Sequence, residues 1–268
     1  MAQKAQVKTV VDAEQSFNKT VARKGMKDGF LSVLDDEGVV FRPNAVNAKE
    51  FYSAIDKQTG LLSWEPKFAR ISANGDLAFT AGPYVFQNSK TDTTDRVYGH
   101  YVSVWRVNSE NKLKLLIDLG IQHPEPEQQE LIDFKDPEAN VAAAATDPFK
   151  NKRVILATDE QFNHSLTLSA LATYKEFFDA EAHYYFPGFE PITGKDKIMK
   201  FVNNEGISIV AKTTSAGRSA SSDLAYSYGV AQIKKGTITS DYNYVRIWDM
   251  DVNHRWNILL EVFSAVEK

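Results

Sequence analysis

The chain is written twice, and that repetition restricts its fold more than any other feature. Phe17-Asn18 returns as Phe162-Asn163. Asp76-Leu77-Ala78-Phe79-Thr80-Ala81-Gly82 returns as Asp223-Leu224-Ala225-Tyr226-Ser227-Tyr228-Gly229. His100-Tyr101-Val102-Ser103-Val104-Trp105 returns as Asn243-Tyr244-Val245-Arg246-Ile247-Trp248. Partners lie about 143 to 147 residues apart, so only small insertions separate the copies. A chain of 268 residues suits one large domain or two ordinary ones, and the duplication selects two. They are expected at 8–123 and 152–268, each long enough for its own core. Between them, 124–151 reads as a linker rich in proline and acidic residues, with one helical turn expected near Glu127 to Phe134 and an alanine run at Ala142–Ala145.

Both copies give the same order of elements. In the first, Val10, Val11, Ala13, Phe17, Val21, Phe30 and Leu31 recur at helical steps, with Gly25 and Gly29 marking a break between two helices. Asp35-Asp36-Glu37-Gly38 reads as the end of that region, followed by a short strand, Val39-Val40-Phe41, stopped by Pro43. Asn47 is placed as the N-cap of another helix carrying Phe51, Tyr52 and Ile55. Long strands follow at Glu65–Ser72, Asp76–Gln87, Arg96–Val107 and Lys112–Ile121. The second copy repeats this: helix over Ile155–Phe178, strand at Ala182–Phe186, helix after Gly194, then strands from Ser208, Leu224, Thr237 and Arg255. Thr213 to Ser222 reads as a long polar hairpin connection.

Composition removes several classes of function. The net charge of −4 leaves no basic footprint for nucleic acid. No apolar run approaches the roughly 18 residues of a membrane span. Cysteine is absent, which excludes disulfides, thiolate metal sites and cysteine catalysis. The sequence as written starts without the apolar core of a signal peptide, although its small and polar first residues also suit a chain whose leader was removed, so the compartment stays open.

Three motifs carry a family resemblance: Gly75-Asp76-Leu77-Ala78, Gly99-His100-Tyr101-Val102-Ser103-Val104-Trp105 and Thr193-Gly194-Lys195-Asp196-Lys197-Ile198. Each repeat resembles the nuclear transport factor 2-like fold, in its SnoaL-like and DUF4440-like branch. The resemblance implies an α+β fold with two cone-shaped domains, each with helices packed on a strongly curved antiparallel sheet. It says little about function, because this fold hosts isomerases, dehydratases, cyclases and plain binding modules. Single-domain relatives commonly pair sheet to sheet, which implies an internal pseudo-dimer of the two repeats. Ketosteroid isomerases of this fold need a carboxylate base before a proline at the end of the first strand. Here that position holds Arg42 before Pro43, and Phe186 before Pro187. The family's helix donor falls near Phe17-Asn18 and Phe162-Asn163, and its strand aspartate on His100 and Asn243. Arginine stays protonated at neutral pH and cannot act as the base. Isomerase chemistry of that type is therefore not expected.

Residues on a strand alternate faces. Tyr98, His100, Val102 and Val104 are assigned to the concave side. Tyr101 and Trp105, with Tyr244 and Trp248, are assigned outward, to be buried between the repeats. The expected ligand-binding residues are Asn18, Arg42, Tyr98 and His100 in the first repeat and Asn243 and Tyr228 in the second. Arginine offers a bidentate fork, and histidine donates or accepts near neutral pH. Asp118 and Glu261 sit at equivalent places within apolar runs, where an acid either titrates high or pairs with Arg106 or Arg246. Asp179, Glu181 and His183 alternate, but Asp179 reads as part of a helix end, so no metal is assigned. No cofactor is expected. The favoured function is binding of a small organic molecule in one or both cones, with repeat one as the working copy. One alternative is a SnoaL-like isomerase, cyclase or hydratase using His100 and Asp118 as the catalytic acid–base pair. A second is a protein-interaction scaffold with filled pockets.

Overall fold

An apolar stripe decides the first helix. In α1 (Lys8–Lys24) the buried positions Val10, Val11, Glu14, Phe17 and Val21 recur every three or four residues. Gly25, at φ 87°, ends it in a conformation that favours glycine and starts α2 (Met26–Val33). Gly29 brings α2 onto α1, since a β-carbon there would lie 2.4 Å from Val21 Cγ2. The computed structural model describes residues 5–89, 94–138 and 148–266, so the Ala142–Ala145 run lies outside the described residues.

The chain divides into two compact units, Met1–Ala139 with Gly188–Glu190, and Asn140–Pro187 with Pro191–Lys268. The first continues with β1 (Leu34–Phe41), β2 (Ala45–Asn47), α3 (Ala48–Ala54), β3 (Leu61–Trp64), β4 (Phe68–Ile71), β5 (Leu77–Gln87), β6 (Arg96–Val107), β7 (Leu113–His123) and β8 (Asp133–Lys135). Asn47 caps α3 as expected, its side-chain oxygen accepting from Glu50 N at 2.9 Å. The strands run in the order β2-β1-β7-β6-β5-β4-β8, with β3 also on β5. The second unit holds α4 (Pro148–Leu168), α5 (Ala170–Phe177), β9 (Phe178–Tyr185), β10 (Ile192–Thr193), α6 (Lys195–Asn204), β11 (Ile207–Arg218), β12 (Leu224–Lys235), β13 (Ile238–Met250) and β14 (Trp256–Ala265). Its order, β10-β9-β14-β13-β12-β11, is that of the first sheet without β8.

The bends match as well as the order. Register shifts fall between Val104 and Trp105 on β6 and between Ile247 and Trp248 on β13. Where β11 shifts between Thr213 and Ser215, the first repeat splits its strand into β3 and β4. Bulges bend a strand and increase its twist, so the same positions curve both sheets around their helices. The two units thus share one architecture, a curved sheet with three helices, present twice. Among the described residues no helix is long and apolar enough to cross a membrane.

Several boundaries differ from the sequence reading. Asp35 to Gly38 belong to β1 instead of closing the helical region. Thr213 to Arg218 belong to β11, so only the five residues before Leu224 turn the chain. Asp179 lies in β9, where its carboxylate accepts from Glu181 N at 2.8 Å. The segment given a helical turn supplies β8 instead, parallel to β4 and fixed by the Arg70–Asp133 ion pair at 2.9 Å.

The largest correction concerns the faces of the long strands. Trp105 Nε1 donates to Glu14 on α1 at 2.8 Å, and Tyr244 OH donates to Asp159 on α4 at 2.6 Å. Trp248 packs edge-on against Phe162 of α4, and Tyr101 against Trp64 in the helix-facing core. All four point at the helices of their own repeat, not outward. β6 is buried continuously from Gly99 to Trp105, so hydrophobicity does not alternate and gives no cue to the inner face.

Gly29→Ala is expected to force α1 and α2 apart at Val21 and to cost about 1–3 kcal/mol. Urea denaturation should show a lower midpoint with an unchanged slope.

Candidate functional site

Each repeat places an acid on its first helix, buried against the sheet. Glu14 lies one turn before Phe17, and Asp159 one turn before Phe162. The two interiors diverge around them.

In repeat two, Arg246 of β13 is fully buried. Its Nη1 donates to Asp159 Oδ1 and to Asn163 Oδ1, each at 2.7 Å, and its Nε donates to Glu261 Oε1 at 2.7 Å. The guanidinium also lies 4.0 Å from the Tyr244 ring centroid and 4.4 Å from that of Phe162. Asp159 further accepts from Ser227 Oγ at 2.8 Å and Thr213 Oγ1 at 2.5 Å. Burial works against the Arg246 charge, but Asp159 and Glu261 outweigh it and keep the group cationic. Around this triad Phe186 packs with Tyr184, Phe201, Tyr242 and Phe263. The interior is occupied by its own side chains.

Repeat one has Ser103 where repeat two has Arg246. Glu14 is satisfied by neutral donors: Trp64 Nε1 and Thr80 Oγ1 at 2.6 Å each, and Trp105 Nε1 at 2.8 Å. Burial raises its carboxyl to about 7 against those hydrogen bonds. Asp118 of β7, opposite Ser103, accepts from the Ser103 hydroxyl at 3.2 Å. Burial raises it to about 6, with Arg42 pulling the other way through space. The side chain is deep enough for that shift yet only part-buried. Arg42 sits exposed at the end of β1, its Nη1 donating to Phe41 O at 2.7 Å and its guanidinium 6.0 Å from the Phe51 ring. Tyr84 of β5 lies over Gly99 and Gly120, and burial raises its phenol to about 12. Tyr52 of α3 is raised above its usual range by burial and then by Asp118.

The expected site residues separate into two groups. Asp118 faces the helices with Ser103, and Arg42 acts on it from the strand end. Asn18 is on α1, but its amide donates to Trp64 O, a structural role. Tyr98 and His100 lie on the other face of the sheet, since they alternate with Tyr101 and Ser103. His100 is buried there, its Nδ1 2.7 Å from His123 Nε2 and its Nε2 2.8 Å from Glu130. His100 and Asp118 are on opposite faces and do not form an acid–base pair. Tyr228 pairs with Val245, and Asn243 lies two residues from it on the same outer face, away from Asp159. Of the expected partners for the two strand acids, Arg246 does meet Glu261, whereas Arg106 pairs with Asp35 and Glu37. Among the described residues no cluster of three His, Asp or Glu suits a metal ion. Sequence reading missed Glu14, Tyr52, Tyr84 and Ser103. One signal for Glu14 was present: an acid stands three residues before Phe-Asn in both copies.

No family model matches this sequence, and no curated protein matches it. Several solved structures are similar to it over less than half its length. A ketosteroid isomerase-like protein from Erwinia carotovora atroseptica is 11% identical, with a TM-score of 0.40, covering 44% of this chain and 98% of its own. An NTF2-like protein from Cytophaga hutchinsonii is 14% identical, with a TM-score of 0.36, covering 42% and 96%. An LEH-like epoxide hydrolase from M. tuberculosis is 14% identical, with a TM-score of 0.34, covering 42% and 80%.

Two outcomes follow from the buried charges. Arg246→Ser leaves Asp159 and Glu261 uncompensated and should cost about 3–5 kcal/mol in a denaturation series. Glu14 binds its proton more tightly folded than unfolded, because its folded value of about 7 lies above the usual 4.5. Its contribution is therefore complete at low pH and is lost as pH rises toward 7. From pH 5 to pH 8, Glu14→Gln should gain about 2 kcal/mol relative to the original chain.

Proposed function

We propose that this protein binds a small organic molecule inside repeat one, with repeats spanning 8–123 and 152–268 and the second copy serving structure. The observation that carries this reading is the fate of the strand acid in each copy. Glu261 is paired with Arg246 and sealed. Asp118 keeps water-reachable surface and meets only a serine hydroxyl. A recess with a few convergent polar groups among aromatic walls is the usual form of a ligand site. Here the polar groups are Asp118 and Ser103, with Arg42, Tyr52 and Tyr84 around them.

Repeat two fits the filled-interior description, with its triad and aromatic cluster occupying the same place. The enzymatic alternative now rests on Asp118 without His100. A carboxyl held near 6 is suited to exchange protons at neutral pH, which favours that second reading. Fold-level likeness does not choose between binding and catalysis.

Native mass spectrometry of the full chain, followed by identification of any co-purified molecule, tests the proposal. Asp118→Asn should lower its affinity about tenfold or more, the scale of one charged hydrogen bond. His100→Ala and Asn243→Ala should leave affinity unchanged. Dependence on His100 with indifference to Asp118 would sink the assignment. Appearance of a second mass on incubation would select the enzymatic reading.

A further inference from the structure

The segment that follows β7 is fastened to the sheet of repeat one at two places. At its far end β8 runs along β4, and Asp133 N donates to Lys67 O at 2.7 Å. Nearer its start it meets two buried histidines, His100 of β6 and His123 at the end of β7. Three hydrogen bonds run in one line through their rings. Glu130 Oε2 lies 2.8 Å from His100 Nε2, and His100 Nδ1 lies 2.7 Å from His123 Nε2. His123 Nδ1 donates to Pro124 O at 2.7 Å. Each bond needs one hydrogen. A carbonyl only accepts, so His123 Nδ1 carries the last of the three. An ionised carboxylate and two neutral imidazoles bring two hydrogens to three bonds. The line is complete only with one added proton. With none, two lone pairs face each other in one bond. With two, either N–H meets N–H between the rings or Glu130 loses its charge.

We propose that residues 124–136 form a pH-sensitive strap, fastened by one proton shared among Glu130, His100 and His123 and loosened by both acid and alkali. The charged groups facing the two rings are Glu130, on His100, and Glu190 of the same compact unit, which acts on His123 through space. The backbone groups on His123 are those of Pro124 and Gly99. The protons belong to the cluster as a whole, so it titrates as one unit. Burial lowers the His123 imidazole below its usual value, against the pull of Pro124 O, so the second proton is resisted. That contribution is present above the usual imidazole value of about 6.5 and is lost as pH falls below it. The alkaline loss follows from the hydrogen count: without its one proton the line gives up a bond. Once the strap is released, the two imidazoles hold one proton between them near pH ~6.5, which matches the closed line, so the strap is tightest there.

The test is hydrogen exchange of the Asp133 amide in the full chain, expressed as protection over the same sequence unfolded at each pH. Protection should peak near pH ~6.5 and be about tenfold lower at pH 5 and at pH 9, the scale of one hydrogen bond to a charged group. Imidazole nitrogen shifts should show one imidazolium shared by His100 and His123 at the peak. Glu130→Gln brings an amide hydrogen of its own to the line, so both rings can be neutral, and protection in that variant should stay high at pH 9. Protection that does not change with pH overturns the proposal, as do two neutral rings beside an ionised Glu130 at pH ~6.5. An equal fall at the core amides of β6 reports global unfolding and counts against the strap. Alkaline loss in Glu130→Gln equal to that of the original chain also overturns it. If that variant does not fold, the nitrogen shifts and the pH series on the original chain decide.

Discussion

Both repeats depend on one arrangement: an acid on the first helix, buried against the sheet, with all its partners supplied by strands. A carboxylate away from water is costly unless it is paired or hydrogen-bonded. Glu14 is reached by Trp64, Thr80 and Trp105 from β3, β5 and β6. Asp159 is reached by Thr213, Ser227, Tyr244 and Arg246 from β11, β12 and β13. These donors hold the helix in its register on the sheet. The acid thus fixes which face of the curved sheet looks inward. The price of that specificity is a charge whose removal or desolvation is felt across the repeat.

The copies solve the same problem with different chemistry. Repeat two uses a shorter acid, Asp159, and fills the remaining space with Arg246, which in turn neutralises Glu261. Repeat one uses the longer Glu14, which reaches the Trp105 indole directly. In repeat two that indole is reached through Ser227, whose hydroxyl links Trp248 to Asp159. With Glu14 satisfied by neutral donors, an arginine is not needed at position 103. Asp118 then meets the Ser103 hydroxyl in place of a guanidinium and stays part-buried. The two interiors differ in their side chains: Glu14, Trp64 and Ser103 stand where repeat two has Asp159, Ala211 and Arg246.

The segment after repeat one adds to its sheet without a counterpart in repeat two. β8 lies along β4, and Val7 N donates to Asp136 at 2.7 Å, so this stretch also holds the start of α1. On the outer face of the sheet His100 meets Glu130 of the same stretch with one ring nitrogen and His123 with the other. Residues first read as a site therefore fasten a covering segment. A buried imidazole with partners on both nitrogens is satisfied without a ligand.

Duplication, helix breaks and turns were legible in the sequence because they rest on local chemistry: Gly25, the Asn47 cap and the repeated Asp-Leu-Ala runs act within a few residues. The arginine partner of Glu261 was legible too, since the two sit on adjacent strands at matched positions. The facing of β6 and β13 was not. From Gly99 to Trp105 every residue is buried, so both faces look apolar and the period-two signal vanishes. One wrong choice of face then moved Tyr98, His100, Tyr228 and Asn243 inward and Tyr101, Trp105, Tyr244 and Trp248 outward. Only the tertiary structure decides that choice, because the deciding contacts join α1 to β6 across 91 residues and α4 to β13 across 87. Sequence alone determined that this chain is two copies of one curved fold; the docking of a helix acid onto the sheet decided which strand residues face inward in each copy.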